Sequence, residues 1–473
     1  MPARPLRAVE VRPAARLGLF WALGGFGLLV VTLVGTEQGR APTTLALLVA
    51  GFAGILIIVR PEWGVVALTS TFFLSYPEAL EGSGRLTINN VLGGLLALLL
   101  VVRLGIERRA EFLRSRPVQL FLLLALALLV NHVLAPQLPG LSGFETPDVP
   151  TSRLQELLSR TAYLVFFVAF IHARRHILAV VWLVIGSVLV TAPNAIWNAL
   201  AADTETARAA ATFGVNIARN PNRLAFLCAI TIAIIGHAVP EARTRILRVG
   251  GLVAIAVLIV TILLSASRSG LIELVVLLMM FLGGVGARGQ RSRVFLLALA
   301  LAVGIGLALV PEHHFDRMTD FFRSDRGESA ASTRNRLELL GTGARMFADS
   351  PLYGVGLGNF RRVSTTDYGS LRMSSLHNSY LLTLVEGGLL LLIPYLLILW
   401  SLWRELRNAA SLAARRAGPE LAWLVAAMQS VLVLFLIFSL FADVWHEPIL
   451  FLIAGLTVTM GRLYRREPEA TPV

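Results

Sequence analysis

The chain has 473 residues, 56% hydrophobic and only 15% charged, with a net charge of +13. A soluble globular protein would carry about a quarter charged residues, so this composition excludes a soluble enzyme and indicates a polytopic membrane protein. All 42 basic side chains are arginine, dispersed at the ends of apolar runs, which argues against a nucleic-acid partner and for orientation at an anionic membrane.

Arg4, Arg7, Arg12 and Arg16 precede the first apolar run, and no small-residue cleavage site follows. This is the pattern of a retained cytoplasmic tail. Apolar runs then occupy 17–35, 42–59, 63–77, 88–105, 117–134, 158–172, 177–198, 222–239, 249–266, 270–286, 294–310, 378–403, 420–441 and 447–462. A span needs ~20 apolar residues to cross the hydrocarbon, and 63–77 is short enough to be re-entrant. The single cysteine, Cys228, lies inside one of these runs, so no intrachain disulfide forms.

Alternate connections are basic: 103–116, 172–176, 241–248, 287–293, 403–416 and 462–467. The positive-inside rule puts these in the cytoplasm together with both termini. The fold expected is an all-α polytopic membrane protein of about 12–14 transmembrane helices with one large helical outer loop. The chain then divides into a first membrane part (1–310), a loop subdomain (311–377) and the last spans with a cytoplasmic tail (378–473).

Within that loop, Phe315, Met318 and Phe322 have the spacing of an interfacial helix. A second helix is predicted with Leu337, Leu340, Ala344 and Phe347 on one face, capped by Ser332 or Thr333 and ended by Pro351. Arg334–Glu338 and Arg345–Asp349 are four apart and can pair. Gly354, Gly356 and Gly358 alternate in "LYGVGLGNF", but the spacing and the polar setting do not fit a nucleotide loop. They allow a tight bend that brings Arg361 and its neighbours over a lipid head group.

Outer-face arginines do not serve orientation, so they are candidates for binding. Arg208, Arg219 and Arg223 lie in one outer loop, and Arg268 lies in the turn "SASRSG" between two apolar runs. Guanidinium grips phosphate, and the phosphate of a lipid-linked substrate sits at this depth. For Arg268 the ordinary alternative is an interfacial arginine that snorkels. Pro221, between Asn220 and Asn222, starts a helix whose free amides favour an anion. His377 opens a span and suits a neutral general base, its pKa held down by nearby arginines. Glu386 and Glu273 read as structural ion-pair partners. Asp203 and Glu205 are a carboxylate pair without a third metal ligand, which reads as a solvated loop. Asp443, His446 and Glu447 form a reserve base and partner at another outer turn.

In order, "RAAATFG", "NPNRLA", "SASRSGL", "RNRLELLGTGARMFADSPLYGVGLGNF" and "HNSYLLTLVEGGLL" resemble the O-antigen ligase and polymerase superfamily, membrane glycosyltransferases of the GT-C type. The resemblance covers about residues 205–395. It implies a glycan donor on undecaprenyl pyrophosphate, transfer on the periplasmic face of the bacterial inner membrane, and no metal or other cofactor. A ligase hands the glycan to a sugar of the lipid A core, and a polymerase hands it to another lipid-linked unit. The family's arginines correspond to Arg208 and Arg268 and its histidine to His377. "VNIAR" intervenes between "TFG" and "NPN", which leaves open the choice among Arg208, Arg219 and Arg223. With the loop's Arg334, Arg336, Gly356, Gly358 and Arg361, and with Asn220 and Asn222, these make up the expected substrate contacts. An inverting ligase is the leading expectation. A polymerase, a lipid-linked glycan transporter and a structural membrane subunit are the alternatives.

Overall fold

The computed structural model describes residues 54–74, 87–106, 110–135, 149–201, 209–210, 216–283, 296–302, 304–305, 328–369, 375–415 and 421–466. The helix pattern expected over 315–322, the pair Asp203–Glu205 and Arg208 lie outside them. Two compact units divide the chain, Met1–Gly64 and Val65–Val473. In the first, Arg60 lies 3.8 Å from Glu62. Everything that follows concerns the second.

The helices in chain order are α1 (Pro61–Phe73), α2 (Ile88–Ile106), α3 (Arg116–Leu134), α4 (Val149–Phe170), α5 (Arg174–Ala201), α6 (Pro221–Ala238), α7 (Arg245–Leu264), α8 (Arg268–Leu282), α9 (Glu328–Asp349), α10 (Phe360–Thr366), α11 (Ser379–Ala414), α12 (Ala422–Phe438) and α13 (Pro448–Arg466). No strand occurs among the described residues. The chain is an all-α polytopic membrane protein. Six helices, 88–105, 116–134, 174–201, 221–241, 245–264 and 379–414, are long and apolar enough to cross a membrane. Two predicted spans appear as shorter helices, α8 with 15 residues and α12 with 17. Helix α1 has 13 residues, about 20 Å, well below the hydrocarbon thickness.

Helix α6 is the centre of the bundle. It is apolar all round and buried along its length, as a helix enclosed by others must be. It packs against α7, α8, α12 and α5. Phe226 stacks on Phe438 of α12 with centroids 4.3 Å apart, and His237 meets the Ser430 hydroxyl at 3.1 Å, so its buried polar tip is satisfied. Helix α11 packs on α3, α13, α12 and α9.

Helix α11 is broken. Gly388 has φ 61° and ψ −159°, outside any helix. Backbone groups freed at such a break need partners in a membrane. The glycine-rich turn supplies them. Val355 and Gly356 donate their amides to the carbonyls of Val385 (2.9 Å) and Glu386 (3.0 Å), and the carbonyls of Pro351 and Leu352 accept from Leu389 (2.9 Å) and Leu390 (3.2 Å). Segment 351–356 is thus a short backbone ladder laid across the break. Two glycines make the approach possible. A Cβ on Gly354 would sit 2.3 Å from the Val385 carbonyl oxygen, and one on Gly388 would sit 2.3 Å from that of Leu352. The glycines were expected to form a bend that swings arginines over substrate. Gly354, Gly356 and Gly358 do all have positive φ, but the segment is fastened to the span. Asn131 of α3 adds a tie to the Tyr353 carbonyl at 2.6 Å.

Helix α9 differs from expectation in two respects. It begins at Glu328, a turn before the predicted caps. Its buried face carries Leu339, Thr342 and Met346, while Leu337 is 64% exposed. The reason is the small residue at 343: Gly343 lets α9 close on α11, where a Cβ would stand 3.3 Å from Leu376, Leu381 and Val385. The pair Arg345–Asp349 is mediated by an aromatic ring. The Tyr368 hydroxyl donates to Asp349, and the Arg345 guanidinium lies 6.0 Å from the Tyr368 ring.

Candidate active site

The Arg268 turn is built from a tight reversal. Helix α7 ends at Leu264, Ala266 takes a left-handed φ of 46°, and Ser267 caps α8 by accepting from the Gly270 amide at 3.2 Å. Arg268 is therefore the first residue of α8. The amide of Ala209, the residue after Arg208, donates to the Leu264 carbonyl at 2.9 Å. The segment carrying Arg208 is thus anchored at the turn that carries Arg268. A Cβ on Gly270 would stand 2.7 Å from that of Ala225, so the starts of α8 and α6 are in close contact.

At the start of α6, the predicted Pro221 helix start is present. The Asn220 side chain accepts from the amides of Asn222 (2.9 Å) and Arg223 (3.3 Å). Two of the amides expected to attract an anion are therefore occupied by the cap. Arg219 lies in a 3₁₀ turn just before it. Arg223 points into the loop between α12 and α13. It pairs with Glu447 at 2.8 Å and reaches the Asp443 carbonyl at 3.5 Å.

That same loop is fastened to the start of α11. The Asn378 amide donates to Asp443 Oδ1 at 2.9 Å, and the Ser375 hydroxyl donates to Asp443 Oδ2. The Ser379 hydroxyl donates to the Ala442 carbonyl at 2.7 Å and accepts from the Val444 amide at 2.8 Å. The Ser379 amide reaches the Ser439 carbonyl at 2.8 Å, and Asn378 caps α11 by accepting from Leu381 at 2.9 Å. His377 sits in the middle of this seam with φ 55°. Left-handed backbone at a residue other than glycine costs about 1–3 kcal/mol and persists only where its surroundings over-determine it. Here hydrogen bonds at 375, 378 and 379 do so.

The electrostatics of the seam favour a neutral imidazole. Burial lowers the His377 pKa below its ordinary value; Asp443 opposes this, while Arg336, Arg361 and Arg223 reinforce it. Arg336 comes from α9, Arg361 from α10 and Arg223 from α6, so three elements converge on one histidine. Arg336 has its own pKa lowered, first by burial, with Asp443 again opposing. His446, the reserve base, is lowered well below the ordinary value by burial, then by Arg153, Arg160 and Arg223. It is only 7% exposed, whereas His377 is open enough to meet a ligand. Arg334 and Arg361 are exposed near this seam.

Behind His446 lies a second layer. Arg160 of α4 is buried, donates to the His446 carbonyl and pairs with Glu156 at 2.5 Å; Arg153 pairs with Glu156 at 2.9 Å. Sequence reading gave Arg153, Arg160 and Ser375 no role. A signal existed for the arginines: "RLQELLSR" puts Arg153, Glu156 and Arg160 on one helical face just ahead of an apolar run. Asp443 was only a reserve partner, yet its carboxylate organises the seam.

The two buried glutamates differ from expectation. The carboxylate of Glu386 faces the amides of Gly358 and Phe360, the latter at 3.4 Å, and so holds the start of α10. Its partners are backbone groups rather than an arginine. Glu273 is wholly buried in α8, and neither carboxyl oxygen has a hydrogen-bond partner among the described residues.

Fold and site together define an all-helical membrane protein with a histidine–arginine–aspartate cluster at one end of its bundle. Residues 252–396 match the family model described as O-antigen ligase, a stretch that contains Arg268, the glycine turn and His377, and this places the chain in the O-antigen ligase and polymerase superfamily. Members of that superfamily are glycosyltransferase-like membrane proteins. No curated protein matches the chain.

Proposed function

We propose that this protein is an O-antigen ligase of the bacterial inner membrane. It takes a glycan from undecaprenyl pyrophosphate and joins it to a sugar of the lipid A core on the periplasmic face. The observation that supports this most is the convergence of Arg223, Arg336 and Arg361 on a neutral, conformationally fixed His377 that shares its seam with Asp443.

The chemistry balances as a direct displacement. The acceptor hydroxyl attacks the anomeric carbon, its C–O bond forms, and the bond from that carbon to the pyrophosphate breaks. The hydroxyl proton passes to His377, and the imidazolium so formed faces Asp443. The negative charge on the leaving pyrophosphate is met by Arg268, Arg208 and the arginines of the seam, with Arg219, Arg334, Asn220 and Asn222 at the rim. A preformed arginine cradle can take this charge without a metal ion. One displacement inverts the anomeric centre.

The test is an assay of purified protein with lipid-linked glycan and two acceptors, lipid A core and a second lipid-linked unit. Product on the core, insensitive to EDTA, supports the ligase. Longer lipid-linked chains instead would make the protein a polymerase using the same site. No product with either acceptor would reject both in favour of a transporter.

A further inference from the structure

Helix α11 carries His377 at one end. Residues 400–408 lie roughly 35–40 Å further along it, about the thickness of a bilayer. A pocket with about 410 Å³ of empty space opens there, lined by Arg116, Trp400, Ser401, Arg404, Glu405 and Asn408. It lies between the far end of α11 and the beginning of α3. The two helices run antiparallel, since Asn131 at the other end of α3 reaches the glycine turn.

The lining has the chemistry of an anion site. Arg116 and Arg404 are both exposed, and neither has a hydrogen bond or ion pair among the described residues. They come from different helices, so bringing two like charges to one hollow costs energy that a bound anion would recover. The one acidic group in the lining, Glu405, is turned away: it lies 2.6 Å from Arg465 of α13. Gly461 makes this possible, because a Cβ there would stand 2.0 Å from the Glu405 carboxylate. Ser401 and Asn408 add neutral donors of the kind that bind phosphate oxygens.

The depth of the pocket indicates the source of the anion. Trp400 is 60% exposed beside it, and exposed tryptophan on a span settles at the head-group level. Basic pockets between spans at that level bind anionic lipid head groups. We infer that Arg116 and Arg404 hold the phosphate of an anionic phospholipid at the end of the bundle opposite His377. The site is separate from the proposed glycan transfer and does not depend on it.

The test uses the full chain in nanodiscs of equal parts phosphatidylglycerol and phosphatidylcholine, with retained lipid counted by native mass spectrometry after extraction. Wild type should keep phosphatidylglycerol in excess. The variant Arg116→Gln/Arg404→Gln should lose that excess by about 10-fold or more, on the scale of two basic residues at a charged surface. Arg407→Gln/Arg415→Gln removes the same charge from the same end of α11 outside the pocket, and should keep it. No phosphatidylglycerol excess in wild type, or equal loss in both double variants, would overturn the site. If glycerol phosphate in solution displaces the lipid completely, the ligand is a soluble phosphate compound and the lipid assignment fails.

Discussion

Two neighbouring stretches of this chain solve opposite problems. Between 351 and 358 the chain pairs its backbone with a broken span, and its side chains are largely incidental. Between 375 and 379 the chain meets the 439–447 loop through hydroxyls, a carboxylate and an imidazole. The first arrangement is closed, since each group freed at Gly388 finds a partner. The second leaves His377 accessible, in a costly conformation, and among charges of both signs. Backbone pairing sets position; side-chain pairing leaves a reactive group available. The difference identifies which glycine-rich and which histidine-bearing motif is structural and which is chemical.

The largest effect should come from breaking the backbone ladder. Gly354→Ala adds a Cβ against a carbonyl that cannot move, at φ 67°. A loss of about 3 kcal/mol or more is expected, read as a lower unfolding temperature in detergent. Gly369→Ala, also at positive φ but with nothing within 4 Å, should cost only ~1 kcal/mol. Equal stability of the two variants would mean the ladder does not hold the turn.

In the chemical region, Arg268→Ala should abolish glycan transfer while protein abundance and unfolding temperature stay at wild-type levels. Retained transfer would remove Arg268 from the pyrophosphate cradle. Asp443→Asn keeps the hydrogen bond from Asn378 but removes the charge that stabilises an imidazolium. Transfer at neutral pH should fall roughly 10- to 100-fold, less than loss of the base itself.

The smallest effects are shifts in pH dependence, and their signs are opposite. His377 must be neutral to accept a proton, so activity fails on the acid side as pH drops through its pKa. That pKa lies below the ordinary value of about 6.5. Arg336→Gln removes a charge that lowers it, so the acid limb should move to higher pH. Asp443→Asn removes the charge that raises it, so the residual activity should persist to lower pH. Limbs that move together, or not at all, would show that another group sets the profile.

Much of the fold was legible because apolar runs and arginine-rich ends are long-range signals that survive local exceptions. The start of α6 was legible at residue level, since Asn220 before Pro221 is a cap followed by a first-turn proline. The break in α11 was not, because "LVEGGLLLL" reads as span interior and only tertiary pairing makes a positive φ at Gly388 favourable. The buried face of α9 was misplaced for a related reason: hydrophobic spacing ranks residues by apolarity, whereas Gly343 admits a neighbour by being small. His377 could be picked out by its position at a span start. Asp443 could not be joined to it, since 66 residues of chain separate them and only the fold closes that distance.

The central claim is that His377 removes the acceptor proton in a direct displacement. The most direct measurement is single-turnover transfer with donor already bound, comparing wild type with His377→Asn. Asparagine tolerates left-handed backbone, so the seam is kept while the base is lost. Donor affinity should be unchanged, and the transfer step should slow by about 10²- to 10⁴-fold, with inverted configuration in the wild-type product. A wild-type rate in the variant, or a product of retained configuration, would contradict the account.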